Sequence, residues 1–250
     1  MSSKGTILIT GASSGLGEEM ARQFAALGYD LALCARRTDR LELLAKGIGA
    51  AHPDRTVALR ALDVTDDTAV FRVFRELAAE LGTIDRVVVN AGLGKGAPLG
   101  TGRYDANKQT AMTNFIGALA QSEAAMELFR EQGHGHLVMV SSMSALRGMR
   151  KSMTTYAATK AGVASLAEGL RSERVKGVDV SVVYPGYIRS EMNEHVQQRT
   201  KFMVDTETGV RAMVEAIEKR KPKAFVPAWP WVPISVLMRT LPLSVVRKLS

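Results

Sequence analysis

The sequence contains few of the residues that build disulfide-linked or metal-binding proteins. One of its 250 residues is cysteine, so we expect no disulfide framework and no zinc site built on cysteines. That residue, Cys34, lies in an apolar run and is expected to be a small buried side chain. His134 and His136 share a glycine-flanked turn, but no carboxylate or cysteine is arranged around them. We therefore predict no metal site.

Blocks of like charge and uninterrupted apolar runs long enough to span a membrane are also absent. The net charge is +8, but the lysines and arginines are scattered, which permits phosphate-bearing ligands and does not indicate nucleic acid. A strand-like run starts at Thr6, so we expect no signal peptide and a cytoplasmic location. The apolar stretch 225–249 is interrupted by Arg239 and Pro242 and is not predicted to span a membrane.

This C-terminal tail leaves two alternatives. It contains both tryptophans of the chain, many aliphatic residues and several cations. Such a segment packs over a substrate pocket or a subunit interface, or residues 229–250 make peripheral contact with an anionic membrane. We favour packing.

The rest of the chain alternates apolar runs of strand length with longer helical stretches. Strands are predicted at 6–10, 30–35, 56–62, 86–90, 136–141 and 179–184, and helices at 16–27, 39–48, 67–81, 104–131, 154–170 and 206–219. Near-continuous Val, Ile and Leu runs are typical of strands covered on both faces. The pattern predicts an α/β fold with a doubly wound parallel sheet and helices on both faces. We expect one domain over 1–225, with a lid at about 187–219, and a tail at 226–250.

A glycine-rich loop follows the first strand and precedes the first helix. Its glycines are Gly11, Gly15 and Gly17, and a helix start of this kind presents free N–H groups to a pyrophosphate. The order strand, loop, helix predicts a dinucleotide site. The residues assigned to it are Thr10, Gly11, Ser13, Ser14, Gly15, Leu16 and Gly17.

The end of the second strand predicts which dinucleotide binds. A dinucleotide fold places the residue that meets the adenosine ribose here. The chain has Arg36 and Arg37 instead of an acidic residue, and a guanidinium suits a 2'-phosphate. We therefore predict NADP rather than NAD.

A tyrosine and a lysine lie four residues apart in the helix predicted at 154–170. Residues with this spacing share a helix face, so Tyr156 and Lys160 are expected to point into one cleft. The ammonium is expected to lower the pKa of the phenol from its ordinary value of about 10. A tyrosine so placed transfers protons near neutral pH.

Taken together, the motifs resemble those of the short-chain dehydrogenase/reductase family. They run in that family's order over residues 6–190: Gly11-x-x-x-Gly15-x-Gly17, Asn90-Ala91-Gly92, Asn114, Ser141-Ser142, Tyr156-x-x-x-Lys160 and Pro185-Gly186. The resemblance implies a Rossmann-type sheet, a nicotinamide cofactor, and hydride transfer between a carbonyl and an alcohol.

The resemblance also implies roles for four residues. Tyr156 would be the general acid or base. Lys160 would lower its pKa and bind the nicotinamide ribose, Ser142 would hold the substrate oxygen, and Asn114 would relay protons through water to Lys160. Further cofactor contacts are implied for Asp63, Val64, Asn90, Ala91, Gly92, Pro185, Gly186, Ile188 and Ser190.

Three positions depart from the family pattern. The family's serine commonly lies thirteen residues before the tyrosine, where this chain has Met143, flanked by Ser142 and Ser144. We choose Ser142 because it is the second serine of the pair that ends the apolar strand, and one extra residue in the loop 145–155 accounts for the offset. Val89 replaces an asparagine, and Ser190 stands where a threonine is common.

The function that we predict is NADP(H)-dependent interconversion of a ketone or aldehyde with an alcohol, on a hydrophobic substrate. One alternative is reduction of a 3-oxoacyl group carried on an acyl-carrier protein, and another is a non-catalytic NADP(H) sensor or scaffold. The lid is expected to have an apolar lining that includes Met192, His195, Val196, Phe202 and Met203. We expect a homodimer or homotetramer.

Overall fold

Seven short segments form one parallel sheet in the computed structural model, which describes residues 3–193 and 202–249. The strands are β1 (Thr6–Thr10), β2 (Asp30–Ala35), β3 (Val57–Ala61), β4 (Arg86–Val89), β5 (Gly135–Val140), β6 (Val178–Pro185) and β7 (Lys223–Val226). Their order is β3-β2-β1-β4-β5-β6-β7, and every neighbouring pair is parallel. The predicted fold class is confirmed.

Helices cover both faces of this sheet. They are α1 (Gly15–Ala26), α2 (Thr38–Ala51), α3 (Asp67–Leu81), α4 (Tyr104–Ala111), α5 (Gly117–Gln132), α6 (Met153–Ser172), α7 (Thr206–Glu218), α8 (Ala228–Thr240) and α9 (Leu243–Leu249). Phe24 and Met213 belong to the core under α1, α2 and α7, while Phe74 and Phe129 belong to the core under α3, α5 and α6. Because both faces are buried, β1 carries no exposed residue, and Cys34 in β2 is also fully buried.

Local sequence signals explain where several helices begin and end. The Asp66 side chain accepts a hydrogen bond from Ala69 N at 2.9 Å and caps α3, and Asp205 caps α7 through Thr208 N at 2.8 Å. At the other end of α5, Gly133 adopts a left-handed conformation with φ of 75°. These caps agree closely with the predicted starts at 67 and 206.

The structure departs from the predicted elements in three places, one of which is the tail, where helices α8 and α9 had not been predicted. The single helix expected at 104–131 is divided by a π-helical turn, Met112–Ile116, that contains Asn114. The strand β7 was not predicted, because Lys223–Val226 supplies only four residues for a pattern, and the predicted boundary at 225/226 falls inside it. The other predicted boundaries lie within three residues of those observed.

The strand order determines where a ligand site can form. The chain runs outward from β1 through β2 to β3, and then returns to β4 on the other side of β1. In open parallel sheets the loops that leave the carboxyl ends of strands separate at such a reversal and leave a crevice. The loops after β1 and β4 carry the glycine motif and Asn90-Ala91-Gly92.

Candidate active site

The glycine loop is packed tightly against the end of β4. Gly11 has a φ of +65°, and a side chain there would bring Cβ within 2.9 Å of the Ala91 backbone. A Cβ on Gly17 would overlap the carbonyl oxygen of Gly11 and lie 2.7 Å from Asn90 Nδ2. The loop keeps this close path because both residues lack side chains.

Thr10 and Asn90 hold the two loops together. The Thr10 hydroxyl accepts hydrogen bonds from the backbone N–H groups of Asn90 and Ala91, both at 3.1 Å. In return, Asn90 Nδ2 donates to the Thr10 carbonyl at 2.9 Å. Asn90 therefore positions the glycine loop as well as facing the crevice.

A cavity of about 540 Å³ runs along this edge of the sheet. Eighteen of the twenty predicted cofactor residues line it, namely Gly11, Ser13, Ser14, Gly15, Leu16, Arg36, Arg37, Asp63, Val64, Asn90, Ala91, Gly92, Tyr156, Lys160, Pro185, Gly186, Ile188 and Ser190. Thr10 and Gly17 do not line it and act through the packing just described. Glycines and the start of α1 bound this groove, so backbone N–H groups can come close to a dinucleotide. A side chain on Gly11 or Gly17 would disrupt this arrangement.

The two arginines at the end of β2 are in different environments. Arg37 is held against the glycine loop, where its Nε lies 3.3 Å from Ser13 Oγ and its Nη2 lies 2.7 Å from Ser14 Oγ. Arg36 is exposed and makes no hydrogen bond within the part of the chain that the structure describes. Burial raises the pKa of Asp63, but hydrogen bonds from Thr65 and the charge of Arg36 leave it below its ordinary value.

Tyr156 and Lys160 face one cleft from the first half of α6. Burial raises the pKa of the Tyr156 phenol, and a hydrogen bond with Ser142 opposes this only in part. Lys160 Nζ donates to the Val140 carbonyl at 2.9 Å and lies 6.0 Å from the centre of the tyrosine ring. Burial lowers the pKa of Lys160 to about 8.

The predicted pKa shift of Tyr156 was wrong in direction. Its sequence spacing predicted a pKa lowered by Lys160, whereas burial dominates and raises it. The physical reason is that burial removes water from the phenol, while the Lys160 ammonium donates its hydrogen bond to the Val140 carbonyl at the end of β5. At neutral pH the phenol is therefore protonated.

Ser142 is the serine that meets the tyrosine. Its hydroxyl accepts hydrogen bonds from Ser144 N at 3.2 Å and from Ser144 Oγ at 3.0 Å, so Ser144 lies behind it. Met143, at the position where the family commonly has serine, is 5% exposed and packs in the core. The short 3₁₀ turn Met143–Leu146 produces this arrangement.

Asn114 does not line the cavity and is fixed behind it. Its Oδ1 accepts from Leu93 N at 2.7 Å, and its Nδ2 donates to the Leu93 carbonyl at 2.9 Å. A Cβ on Gly92 would lie 3.3 Å from Asn114 Oδ1 and 3.5 Å from Lys160 Nζ. Asn114 and Lys160 therefore flank the same small space beside Gly92.

The cavity continues beyond Tyr156 into a region that the motifs did not predict. Five of the twelve methionines line it, together with a tryptophan and a tyrosine: Met143, Met149, Met153, Met192, Met238, Trp231 and Tyr187. Tyr187 is the one ionisable residue in this apolar part of the described cavity, and the other ionisable lining residues lie with the predicted cofactor residues. The high methionine count was a usable signal, but the positions are scattered over 95 residues and their meeting depends on tertiary structure.

The tail supplies part of this wall. The Trp231 indole covers Gly186 so closely that a Cβ on Gly186 would overlap it, and the ring packs edge to face on Tyr187 at 5.5 Å. Trp231 is 5% exposed, whereas Trp229 is 78% exposed. Helix α8 thus contributes Trp231 and Met238 to the cavity wall.

The predicted lid is described in part. The segment that follows β6 and contains Tyr187 is joined to the segment before α7 by a bridge between Ile188 and Val204. Met192 reaches across the cavity, and a Cβ on Gly94 would lie 2.8 Å from its Cγ. Phe202 is exposed and Met203 is partly buried. The predicted lining residues His195 and Val196 lie outside the described residues.

Within residues 3–193 and 202–249, no group of three or more His, Cys, Asp or Glu side chains is placed to hold a metal ion. Over the same ranges, no helix combines the length and apolarity needed to cross a bilayer. The predicted homo-oligomer and cytoplasmic location stay predictions.

Comparison with known proteins identifies the family. The family model described as short chain dehydrogenase matches residues 5–201. An uncharacterized oxidoreductase of Mycobacterium tuberculosis (strain ATCC 25618 / H37Rv) is 52% identical over 243 residues, which cover 97% of this chain and 96% of the relative. The chain therefore belongs to the short-chain dehydrogenase/reductase family of oxidoreductases, as its motifs predicted.

Solved structures share its fold. A short-chain dehydrogenase from Sphingobium yanoikuyae in complex with NADPH is 27% identical, with a TM-score of 0.82 over 93% of this chain and 91% of that one. A family member from Burkholderia phymatum in complex with NAD is 19% identical, with a TM-score of 0.84 over 94% and 92%. Proteins of this fold thus occur in complex with NADPH and in complex with NAD.

Proposed function

We propose that the protein is an NADP(H)-dependent reductase of neutral, apolar ketones or aldehydes that also oxidises the corresponding alcohols. One observation carries the proposal. The Tyr156 phenol, hydrogen-bonded to Ser142, lines one cavity together with Lys160, the glycine loop and five methionines. The phenol oxygen that transfers the proton therefore belongs to the cavity proposed to bind the substrate.

The side chains divide the work of carbonyl reduction. Bound nicotinamide cofactor would supply the hydride to the carbonyl carbon. Tyr156 donates its proton to the carbonyl oxygen, and its raised pKa suits a donor that must stay protonated at neutral pH. Ser142 holds that oxygen by hydrogen bonding, and the Lys160 charge stabilises the phenolate that forms.

Lys160 and Asn114 return a proton to the Tyr156 phenolate. With a pKa of about 8, Lys160 exchanges a proton near neutral pH. The space beside Gly92 lies between Lys160 and Asn114, which suits a water that carries the proton outward. In the oxidative direction the same groups act in reverse.

The cavity wall supports a neutral, apolar substrate. Met149, Met153, Met192 and Met238 are flexible side chains that adapt to irregular apolar shapes. A charged substrate would lose its hydration there without gaining a partner. The segment 187–192 and helix α8 would act as lid and wall, which keeps the lid at about 187–219 and the tail at 226–250 as proposals.

The NADP preference rests on the arginines near the end of β2. Arg36 and Arg37 line the groove, and no acidic residue takes their place at the strand end. The Sphingobium relative binds NADPH. A guanidinium pair at this position favours a 2'-phosphate over a free hydroxyl.

The first test measures NADPH oxidation against apolar ketones of graded chain length. We expect turnover in the parent and a loss of about a hundredfold or more in Tyr156→Phe, because the general acid is removed. Tyr104→Phe changes an exposed tyrosine and should match the parent. A parent that binds NADPH without Tyr156-dependent turnover would support the non-catalytic sensor instead.

The second test concerns cofactor choice. Arg36→Asp should weaken NADPH binding by at least tenfold, because it removes one cation and adds one repulsive charge next to the phosphate. NADH affinity should change much less. Equal affinities of the parent for NADPH and NADH, measured by fluorescence titration, would refute the preference.

A further inference from the structure

Arg37, one of the two arginines assigned to the 2'-phosphate, already holds an anion from the protein itself. Glu191, in the 3₁₀ turn after β6, accepts hydrogen bonds from Arg37 Nη1 and Nη2, both at 3.1 Å. Its other carboxylate oxygen pairs with Nη1 of Arg40, on the first turn of α2. Arg40 holds the pKa of Glu191 at about 2, helped by Arg37 and Ser14, so the carboxylate is charged at neutral pH.

The hydrogen-bonding capacity of Arg37 is nearly used up by these contacts. Its Nε is directed to Ser13, its Nη2 is shared between Ser14 and Glu191, and its Nη1 is directed to Glu191. A phosphate arriving at the end of β2 therefore meets Arg36 free of hydrogen bonds within the described chain, but meets Arg37 already engaged by a carboxylate.

The segment carrying Glu191 also lies across the glycine loop. A Cβ on Gly15 would lie 3.4 Å from Ser190 Cβ, so the residue before Glu191 touches the loop expected to hold the pyrophosphate. Glu191 thus binds Arg37 and Arg40 next to residues that a dinucleotide would contact.

We propose that Glu191 is an internal competitor for the 2'-phosphate, and that Arg40 is a third cation of the phosphate site. On this view the Arg37–Arg40 pair exchanges the carboxylate of Glu191 for the phosphate when NADP(H) binds. The side chains of Arg37, Arg40 and Glu191 are each about two-fifths exposed, at 43%, 43% and 41%. Ion pairs at such exposure are weak, so a phosphate carrying up to two charges can replace the carboxylate.

The proposal gives Glu191 a role in cofactor selectivity. A cofactor without the 2'-phosphate has nothing to exchange for the carboxylate, so Glu191 stays on the arginines. The free-energy cost of displacing Glu191 therefore lowers the affinity only of ligands whose phosphate binds the arginines. The proposal rests on the proposed NADP site and adds Arg40 and Glu191 to it.

The experiment compares two probes that differ only in the 2'-phosphate, adenosine 2',5'-bisphosphate and AMP, by calorimetry on the 250-residue protein. We expect Glu191→Gln to tighten binding of the bisphosphate by about tenfold and to leave AMP within about twofold. Arg40→Gln should weaken the bisphosphate by about tenfold and leave AMP unchanged.

A matched control removes an equivalent carboxylate elsewhere. Glu173 pairs with Arg130 at 3.1 Å and is half exposed, so Glu173→Gln makes the same change in net charge away from the groove. It should bind both probes like the parent. Should Glu173→Gln tighten the bisphosphate as much as Glu191→Gln does, net charge alone would account for the effect, and the proposal would be overturned.

The outcomes separate this inference from the proposed cofactor preference. If the parent prefers the bisphosphate and Glu191→Gln binds it equally well, the competitor role of Glu191 is refuted and the proposed NADP site is kept. Glu191→Gln weakening both probes alike would also overturn the proposal, because Glu191 would then hold the groove together. A parent without preference that gains one in Glu191→Gln would support the competitor and refute NADP selectivity in the parent.

Discussion

At the scale of single residues, Gly17 shows how one missing side chain makes a ligand groove. A Cβ at this position would overlap the Gly11 carbonyl, which is backbone and cannot rotate away. Gly17→Ala should therefore shift the glycine loop, lower the free energy of unfolding by about 1–3 kcal/mol, and weaken NADPH binding by at least tenfold. Urea unfolding and fluorescence titration measure the two effects.

Gly49 provides the matched control in another helix. A Cβ there would meet no atom within 4 Å, and its φ is not positive. Gly49→Ala in α2 should raise the free energy of unfolding by about 0.5–1 kcal/mol, because alanine loses less backbone entropy on folding. NADPH affinity should not change. Normal NADPH binding by Gly17→Ala would contradict the role given to the loop packing.

Residue identity was easier to predict than residue chemistry. The spacing of Tyr156 and Lys160 follows from helix geometry, and the structure turns both toward one cleft. The sign of the tyrosine pKa shift was not available from spacing, because it depends on how much water each group loses. The contact between Arg37 and Glu191 joins residues 154 positions apart, and no local pattern announces such a pair.

At the scale of elements, helix α8 is apolar on two sides. Its inner side carries Trp231 and Met238, which line the cavity. Its outer side carries Trp229, Val232 and Val236, which are exposed. The membrane alternative for the tail therefore concerns the outer side alone, since the inner side is already covered.

This alternative makes a prediction about vesicle binding. If the outer side of α8 lies on an anionic bilayer, the parent should sediment with vesicles rich in phosphatidylglycerol. The triple variant Trp229→Ser, Val232→Ser, Val236→Ser should lose most of that binding and keep its fold. The double variant Leu43→Ser, Leu99→Ser removes exposed leucines elsewhere and should bind like the parent. Equal sedimentation of all three proteins with the vesicles would refute the membrane alternative.

The elements themselves were predictable to the extent that each had a complete pattern. Five of the first six strands are largely buried aliphatic runs, the partly buried strand β3 is the exception, and the limits of all six agree with the prediction within one residue. β7 has four residues, of which Lys223 and Phe225 are only partly buried, and so lacks that pattern. The π-helical turn at Met112–Ile116 has no composition signal, because it arises where Asn114 reaches the Leu93 backbone.

At the scale of the whole molecule, a buried polar cluster joins the sheet at the edge opposite the cavity. Arg86 Nε donates to His136 Nδ1 at 3.0 Å, and Arg86 Nη1 pairs with Glu218 at 2.6 Å. His136 Nε2 lies 2.8 Å from Ser181 Oγ, and the Tyr29 hydroxyl donates to Glu218. These bonds connect β4, β5, β6 and α7, so their loss loosens several elements at once.

His136 makes the stability of the molecule depend on pH through this cluster. Burial, together with the charges of Arg86 and Arg220, lowers its pKa to about 3. In the unfolded chain the same imidazole titrates near 6.5. As pH falls from about 6.5 toward 3, the unfolded chain therefore binds a proton that the folded protein does not, and stability decreases.

The expected slope is up to about 1.4 kcal/mol of unfolding free energy per pH unit in this window, and none above pH 7 from this group. His136→Gln should be less stable than the parent at pH 7, because it breaks the bond to Arg86, but its stability should fall less steeply between pH 6 and pH 4. His52→Gln, at the end of α2, should keep the parent's slope. Urea unfolding at several pH values measures all three slopes. Parallel curves for the parent and His136→Gln would mean that this imidazole does not control the acid sensitivity of the fold.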